Sequence, residues 1–206
     1  RGALESVEPS VHALPAQELW HCRCLSRAAL VAFIATDHSA RACFHSGERA
    51  QCLPLPVFDP AVMTIGFARR FATYKRPDLL LHDPDRLARI LTSAERPVQL
   101  VIAGKAHPQD TAGQGLIAQW IGFLQRPDVH GRVAFLVDYD MSIARQMVEG
   151  MDLWINTPLR PWEACGTSGM KVLVNGGLNV SERDGWWAEA WAPDVGWAIG
   201  DGMDEG

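Results

Sequence analysis

An α/β fold built on a doubly wound parallel sheet is the class this sequence predicts, on three observations. Short, nearly continuous apolar runs occupy residues 62–66, 98–103, 133–137, 152–156 and, more weakly, 178–180. Strands buried on both faces read this way. Helical patterns lie between them, at 78–93, 113–125, 141–150 and 165–175, and alternation at this spacing gives βαβ units with right-handed crossovers. The 206 residues are 48% hydrophobic and 21% charged, a globular balance in a chain long enough for one sizeable core with an appendage.

The elements follow in order. Residues 1–58 read as an N-terminal helical segment and linker, and 59–206 as the α/β lobe. A rough apolar stripe through Leu14, Leu19, Leu25, Ala28, Ala29, Val31 and Phe33 predicts one or two helices over 11–35. Gly47, Pro54, Pro56 and Pro60 predict a loop over 43–60. The five cysteines are an odd number, and Cys22-x-Cys24 is not the spacing of a zinc knuckle. Reduced thiols and no metal are expected, although His21, His38 and His45 lie near the cysteines. The net charge of −5 disfavours a broadly basic surface for nucleic acid. The longest apolar run, 28–35, falls well short of the roughly 18 residues that span a membrane. Neither a nucleic acid nor a membrane is an expected partner. The start, Arg1-Gly2-Ala3, has no initiator Met and no signal-peptide order, so the chain is expected to be part of something longer, in the cytoplasm.

In a parallel sheet, ligands collect beyond the carboxyl ends of the strands, so the strand-to-helix loops are where chemistry is sought. After the first strand come Arg69, Arg70, Lys75 and Arg76, four cations within eight residues. They suit an anion clamp for phosphate oxygens or, more plainly, a solvated basic loop. After the second come Gly104 and Lys105, a turn with a cation. After the third come Asp138, Tyr139 and Asp140: the acids suit a helix cap, and Tyr139 suits stacking in a cleft. After the fourth comes Glu163-Ala164-Cys165-Gly166-Thr167-Ser168-Gly169-Met170-Lys171. Here free N–H groups, two hydroxyls and a helix dipole would converge on an anion. Of the 19 Lys and Arg residues only Lys75, Lys105 and Lys171 are lysines, which favours a task for the titratable amine. The apolar Val172-Leu173-Val174 predicts a buried helix with Lys171 pointing inward. Trp186 and Trp187, with Asp184 and Glu189 nearby, suit sugar stacking, core packing or an interface.

Together these residues resemble a known family. Glu163 to Lys171, followed by Asn175-Gly176, is similar to the pyridoxal-phosphate lysine motif of the α-glucan (glycogen, starch, maltodextrin) phosphorylases. Arg69-Arg70-x-x-x-Tyr74-Lys75-Arg76 resembles their phosphate-side motif. Gly104-Lys105-Ala106 and Asp138-Tyr139 fall in the expected order between the two, and Asp184-Gly185-Trp186-Trp187 is similar to the shorter bacterial branch. The resemblance covers residues 60–202; residues 1–55 match poorly.

The resemblance implies the C-terminal lobe of a GT-B fold, Rossmann-like, with a helical or irregular N-terminal appendage. It implies phosphorolysis of α-1,4-glucan to glucose 1-phosphate, with the phosphate of pyridoxal 5'-phosphate exchanging a proton with substrate phosphate. It assigns Lys171, Arg70 and Lys75 to catalysis, with Lys171 carrying the cofactor and Arg70 and Lys75 holding substrate phosphate. It sets Arg69, Gly166, Thr167 and Ser168 near the cofactor phosphate and Tyr139 along the cofactor. Glu163, Cys165 and Gly166 contact the glucose. The implied partners are α-1,4-glucan, inorganic phosphate or glucose 1-phosphate, the missing N-terminal lobe and, in the full-length enzyme, a second copy as a homodimer. Cys165 stands where longer members have Ser, and Asp140 where they have Arg. Without the opposite lobe, and without helices expected after Gly202, the polypeptide alone is expected to be catalytically weak or dead. Two competing readings remain: a nucleotide-sugar glycosyltransferase of the same architecture, resembling glycogen synthase, and an inactive remnant or glucan-binding module. No Gly-x-Gly-x-x-Gly follows a strand, which argues against a dinucleotide-dependent dehydrogenase.

Overall fold

Continuous apolar strands need cover on both sides, and helices from both directions supply it. The computed structural model describes residues 7–36, 43–46, 49–52 and 56–200. Helices α1 (Val7–His12) and α2 (Ala16–Thr36) open the chain, and an antiparallel pair, β1 (Cys43–Ser46) and β2 (Arg49–Cys52), follows. Then come β3 (Met63–Ala68), α3 (Pro84–Leu91), β4 (Val98–Ala103), α4 (Thr111–Leu124), β5 (Val133–Leu136), α5 (Met141–Gly150) and β6 (Leu153–Asn156). The order closes with α6 (Thr167–Val174), β7 (Leu178–Glu182), α7 (Trp187–Ala190) and β8 (Gly196–Ile199).

Strands β3 to β8 form one six-stranded sheet, all parallel, in the order β5-β4-β3-β6-β7-β8. This is the doubly wound arrangement of two βαβ halves meeting at β3 and β6. Alternate residues of each strand enter opposite cores. Val101 and Ala103 of β4, Ala134 and Leu136 of β5 and Trp154 of β6 pack with Met147 of α5 and Val172 of α6. Leu100, Ile102, Val133, Phe135 and Ile155 pack with Leu91 of α3 and with Leu116 and Trp120 of α4. The double burial predicted from the sequence is thus the organising feature of the fold.

The N-terminal helix joins the first of these cores. Leu30, Val31 and Ile34 of α2 are buried in it. Arg23 donates to the carbonyls of Glu149, Gly150, Met151 and Asn175, and so closes the C-terminal ends of both α5 and α6. Arg27, also buried, donates to the Pro60 carbonyl and meets Asp152 Oδ1 at 2.9 Å. Asp152 in turn accepts the Thr64 N–H, which ties the starts of β3 and β6 to this helix.

Three expectations change in detail. The loop expected over 43–60 contains the β1–β2 pair; its strands have four residues each, too few to show a pattern. The helix expected over 78–93 begins only at Pro84, with a separate 3-10 turn at Leu79–Leu81. Proline pushes the residue before it out of the α region, and Asp83 (φ −127°, ψ 85°) caps the new helix by accepting the Arg86 N–H. The helix expected over 165–175 starts at Thr167, because Gly166 is left-handed at φ +82°. The end of the chain beyond Gly200 and the neighbourhood of His38 lie outside the described residues. Among the described residues no group of three His, Cys, Asp or Glu is placed to hold a metal, and no helix is long and apolar enough to cross a membrane.

Candidate functional site

The basic loop after β3 and the glycine loop after β6 meet at the carboxyl rim, at the point where the strand order reverses. Ligands of open parallel sheets bind in this crevice. Backbone and side-chain bonds sew the two loops together. Thr157 Oγ1 donates to the carbonyls of Lys75 and Arg76, and the Leu159 N–H donates to the Tyr74 carbonyl at 2.6 Å. Arg76, in the left-handed region at φ 43°, donates to the carbonyls of Thr157 and Pro158 and pairs with Glu182 at 3.0 Å. One of the four cations of the basic loop is therefore a structural tie.

Two others converge on one carboxylate. Arg69 Nη2 and Lys75 Nζ each donate to Glu163 Oε2 at 2.5 Å, and all three side chains are nearly buried. Asp184, itself buried, accepts the Glu163 N–H and so fixes the backbone that aims this carboxylate. The second guanidinium nitrogen of Arg69, Nη1, is buried with no partner among the described residues. Arg69 and Gly166 line the same narrow cavity with Asn156, Cys165, Asp184 and Trp186, and its volume is only about 10 Å³. The carbonyl Oδ1 of Asn156 is likewise buried and unpartnered.

The fourth cation, Arg70, is exposed; its guanidinium lies 3.5 Å from the Tyr74 hydroxyl. Lys75 Nζ sits over the Tyr74 ring, 4.6 Å from its centre. Burial alone would raise the Tyr74 pKa, but hydrogen bonds from Lys75 and Arg70, with their positive charge, outweigh it and bring the phenol below its ordinary value. Burial raises the pKa of Tyr139 above the ordinary range, with the Arg69 charge acting against it. Tyr139 therefore lies within electrostatic reach of Arg69. Asp140 caps α5 by accepting the Ile143 N–H, while Asp138 is exposed, 3.9 Å from Lys105.

Gly166 forms the left-handed entry to α6. Thr167 is exposed, and Ser168 and Cys165 are half-buried. Cys165 is a free thiol whose carbonyl accepts the Trp186 N–H. Lys171 corrects an expectation: its side chain is exposed rather than turned inward. Helix α6 buries Gly169 and Val172. Gly169 is held by close approach, since a Cβ there would meet Asn179 Oδ1 at 2.7 Å and Trp186 at 3.0 Å. With about 100° per residue, that inner face leaves Lys171 outside, on the same side as Thr167 four residues earlier. The apolar run that suggested a buried helix ends with Val174 exposed. Of the paired tryptophans, Trp187 is core, and Trp186 packs edge-on against it at 5.0 Å while lining the cavity. Asp184, Glu182 and Asn156 carried no assignment in the sequence. The Asp184-Gly185-Trp186-Trp187 motif was the signal that marked the first of them.

A family model described as carbohydrate phosphorylase matches residues 57–192. The chain belongs to this family. All the residues of the Arg69–Glu163–Lys75 cluster, and Lys171, lie inside the matched region. A glycogen phosphorylase of Mycobacterium tuberculosis is 58% identical over 142 residues, covering 69% of this chain and 16% of that protein. A glycogen phosphorylase of Aquifex aeolicus is 43% identical over 203 residues, 98% of this chain and 29% of that protein. A maltodextrin phosphorylase of Thermococcus litoralis is 42% identical over 199 residues, 96% and 23% respectively. The chain thus spans less than a third of the length of these phosphorylases. The family model begins only at residue 57, in line with the poorer match expected for residues 1–55, while the second and third alignments extend over nearly the whole chain.

Proposed function

We propose that this chain is the cofactor- and phosphate-holding lobe of an α-glucan phosphorylase, an enzyme that splits α-1,4-glucan with inorganic phosphate to give glucose 1-phosphate. The observation that carries this reading is the joint grip of Arg69 and Lys75 on Glu163 at the rim of the sheet. Two buried cations and one carboxylate leave a net positive charge beside a group that accepts from sugar hydroxyls. A reaction whose transition state is oxocarbenium-like and lies next to phosphate needs this pairing.

The residues fit pyridoxal 5'-phosphate. Arg69 offers a buried guanidinium nitrogen without a partner among the described residues, close to the glycine entry to α6, where N–H groups and the helix dipole favour an anion; the gap between them has room for about one water and must widen to admit a phosphate. Arg69, Gly166, Thr167 and Ser168 would hold the cofactor's phosphate, Tyr139 would lie along it, and the exposed amine of Lys171 would anchor it. When bound, the group supplies a phosphate that donates and accepts a proton beside the substrate phosphate. Arg70 and Lys75 bind and orient that substrate phosphate; among the described residues the Arg70 guanidinium has the Tyr74 hydroxyl as its one hydrogen-bond partner, which leaves donors for it. Glu163, Cys165 and the Gly166 backbone position the glucose, with Asp184 fixing Glu163. The other wall of the cleft belongs to the remaining length of the enzyme, and the setting suited to the free thiols is the cytoplasm.

The test has two arms. Mixed with pyridoxal phosphate, the chain is expected to gain an absorption band that survives dialysis and is lost in Lys171→Ala. The full-length protein is expected to release glucose 1-phosphate from maltodextrin and phosphate, with Lys75→Ala lowering the rate by at least about a hundredfold. A band that persists in Lys171→Ala overturns the cofactor reading. A full-length protein that consumes a nucleotide sugar and ignores phosphate overturns the reaction.

A further inference from the structure

The opposite end of the sheet carries a second concentration of positive charge that the proposed reaction does not use. Arg86, Arg89, Ile90 and Ser93 are spaced i, i+3, i+4 and i+7, and so share one face of α3 and its continuation. The chain then turns back, with the Arg96 N–H donating to Ser93 Oγ at 3.2 Å, and enters β4 at Val98. These six residues line a shallow, open cleft of about 480 Å³.

The three arginines are exposed, and among the described residues none of them forms an ion pair. Of the acids nearest in sequence, Asp83 caps α3 and Asp85 pairs with Arg126 at 2.7 Å, while Glu95 is exposed and makes no ion pair among the described residues. In a chain of net charge −5, three guanidinium groups thus border one cleft with no carboxylate paired to any of them among the described residues. The negative end of the α3 dipole accounts for Arg89 in the last turn, but not for Arg86 near the start or Arg96 beyond the end. The floor between them is apolar: Ile90 is 46% exposed, and Val98 is half-buried. Val98 opens β4 whereas Lys105 follows its end, so the strand separates this cleft from the candidate site by about 20 Å.

We propose that this cleft is a second anion site, which binds a phosphate monoester whose organic part lies against Ile90 and Val98. Guanidinium forks match phosphate oxygens, and their weaker hydration makes them the better cations for the purpose. The apolar floor selects an ester with a ring or chain over inorganic phosphate.

Amide chemical shifts of the 206-residue chain, titrated with phenyl phosphate and separately with methyl phosphate, test this directly. Saturable shifts centred on residues 86–98 are expected, with phenyl phosphate at least threefold tighter than methyl phosphate. Arg86→Gln/Arg89→Gln/Arg96→Gln is expected to weaken phenyl phosphate at least tenfold, and Arg89→Gln alone at least threefold, while the circular dichroism spectrum is unchanged. Shifts confined to the loops after β3 and β6, shifts that never saturate, or equal affinity in the triple variant overturn the site. Equal affinity for the two esters overturns the role of the apolar floor.

Discussion

Glu163 decides the charge of the candidate site. With Arg69 and Lys75 it makes a nearly buried triad of net charge +1, and removing its charge leaves two cations without a counter-ion. Breaking a buried pair from one side costs about 3–5 kcal/mol, because the remaining charge stays desolvated. Glu163→Gln is therefore expected to lower the melting temperature in phosphate-free buffer. The same change raises the positive charge of the pocket, so sulfate or phosphate should restore much of the loss and bind at least several-fold tighter than to the unaltered chain, as read by calorimetry. Weaker anion binding by Glu163→Gln would count against anion seats at Lys75, for substrate phosphate, and at Arg69, for the cofactor's. Tyr139 gives a second test, through pH. Burial raises its pKa in the folded chain above the unfolded value of about 10. The neutral phenol is favoured by folding, so its contribution is complete below about pH 10 and is lost as pH rises through the higher folded value. Melting temperatures between about pH 8 and about pH 11 should fall more steeply for the unaltered chain than for Tyr139→Phe.

At the scale of the elements, the site depends on how closely the strand ends approach each other. Gly104 follows β4 beside the basic loop, and a Cβ there would meet the Arg69 carbonyl at 2.1 Å and the Phe71 ring at 2.6 Å. The Arg69 N–H already donates to the Ala103 carbonyl, and the Phe71 N–H to the Lys105 carbonyl, so neither backbone can withdraw freely. Gly104→Ala is expected to cost about 1–3 kcal/mol as an overpacked contact and to displace Arg69; urea unfolding and loss of anion binding measure the two effects. The sequence made Gly104 visible as a turn, but its actual requirement is close packing, which only a neighbouring strand can impose. The same distinction runs through the fold. Strands β3 to β6 were legible because double burial writes itself as an apolar run, even in β5 at one edge of the sheet. Strand β8, at the edge and half-exposed, reads Gly196-Trp197-Ala198-Ile199 and carries no such mark. The residues of the site were legible as motifs, whereas their partnerships were not. Nothing local says that Arg76 serves Thr157 and Glu182, or that Glu163 is gripped from a loop 88 residues away. Lys171 was misread because three apolar neighbours suggested an inner face that Gly169 in fact occupies.

For the molecule as a whole, the loops after β3 and β6 form one rim, where Arg70 and Trp162 are exposed; Thr167 opens α6 and Lys171 is exposed one turn further along it. A substrate held by this chain alone would meet protein on one side and water on the other. Phosphorolysis requires phosphate to outcompete water at the sugar carbon, and excluding water is also what strengthens the charges of the site. The phosphorylases it resembles are more than three times as long, since the chain spans 16–29% of their length. Binding and turnover should therefore separate. The 206-residue chain is expected to take up pyridoxal phosphate and inorganic phosphate through the residues proposed above, yet to release no measurable glucose 1-phosphate from maltodextrin. The full-length protein should do both. Measured side by side at equal cofactor occupancy, turnover by the short chain within about tenfold of the full-length rate would mean that one rim of this sheet suffices for the chemistry, and that water exclusion by an opposite wall contributes less than about 1.4 kcal/mol to the barrier.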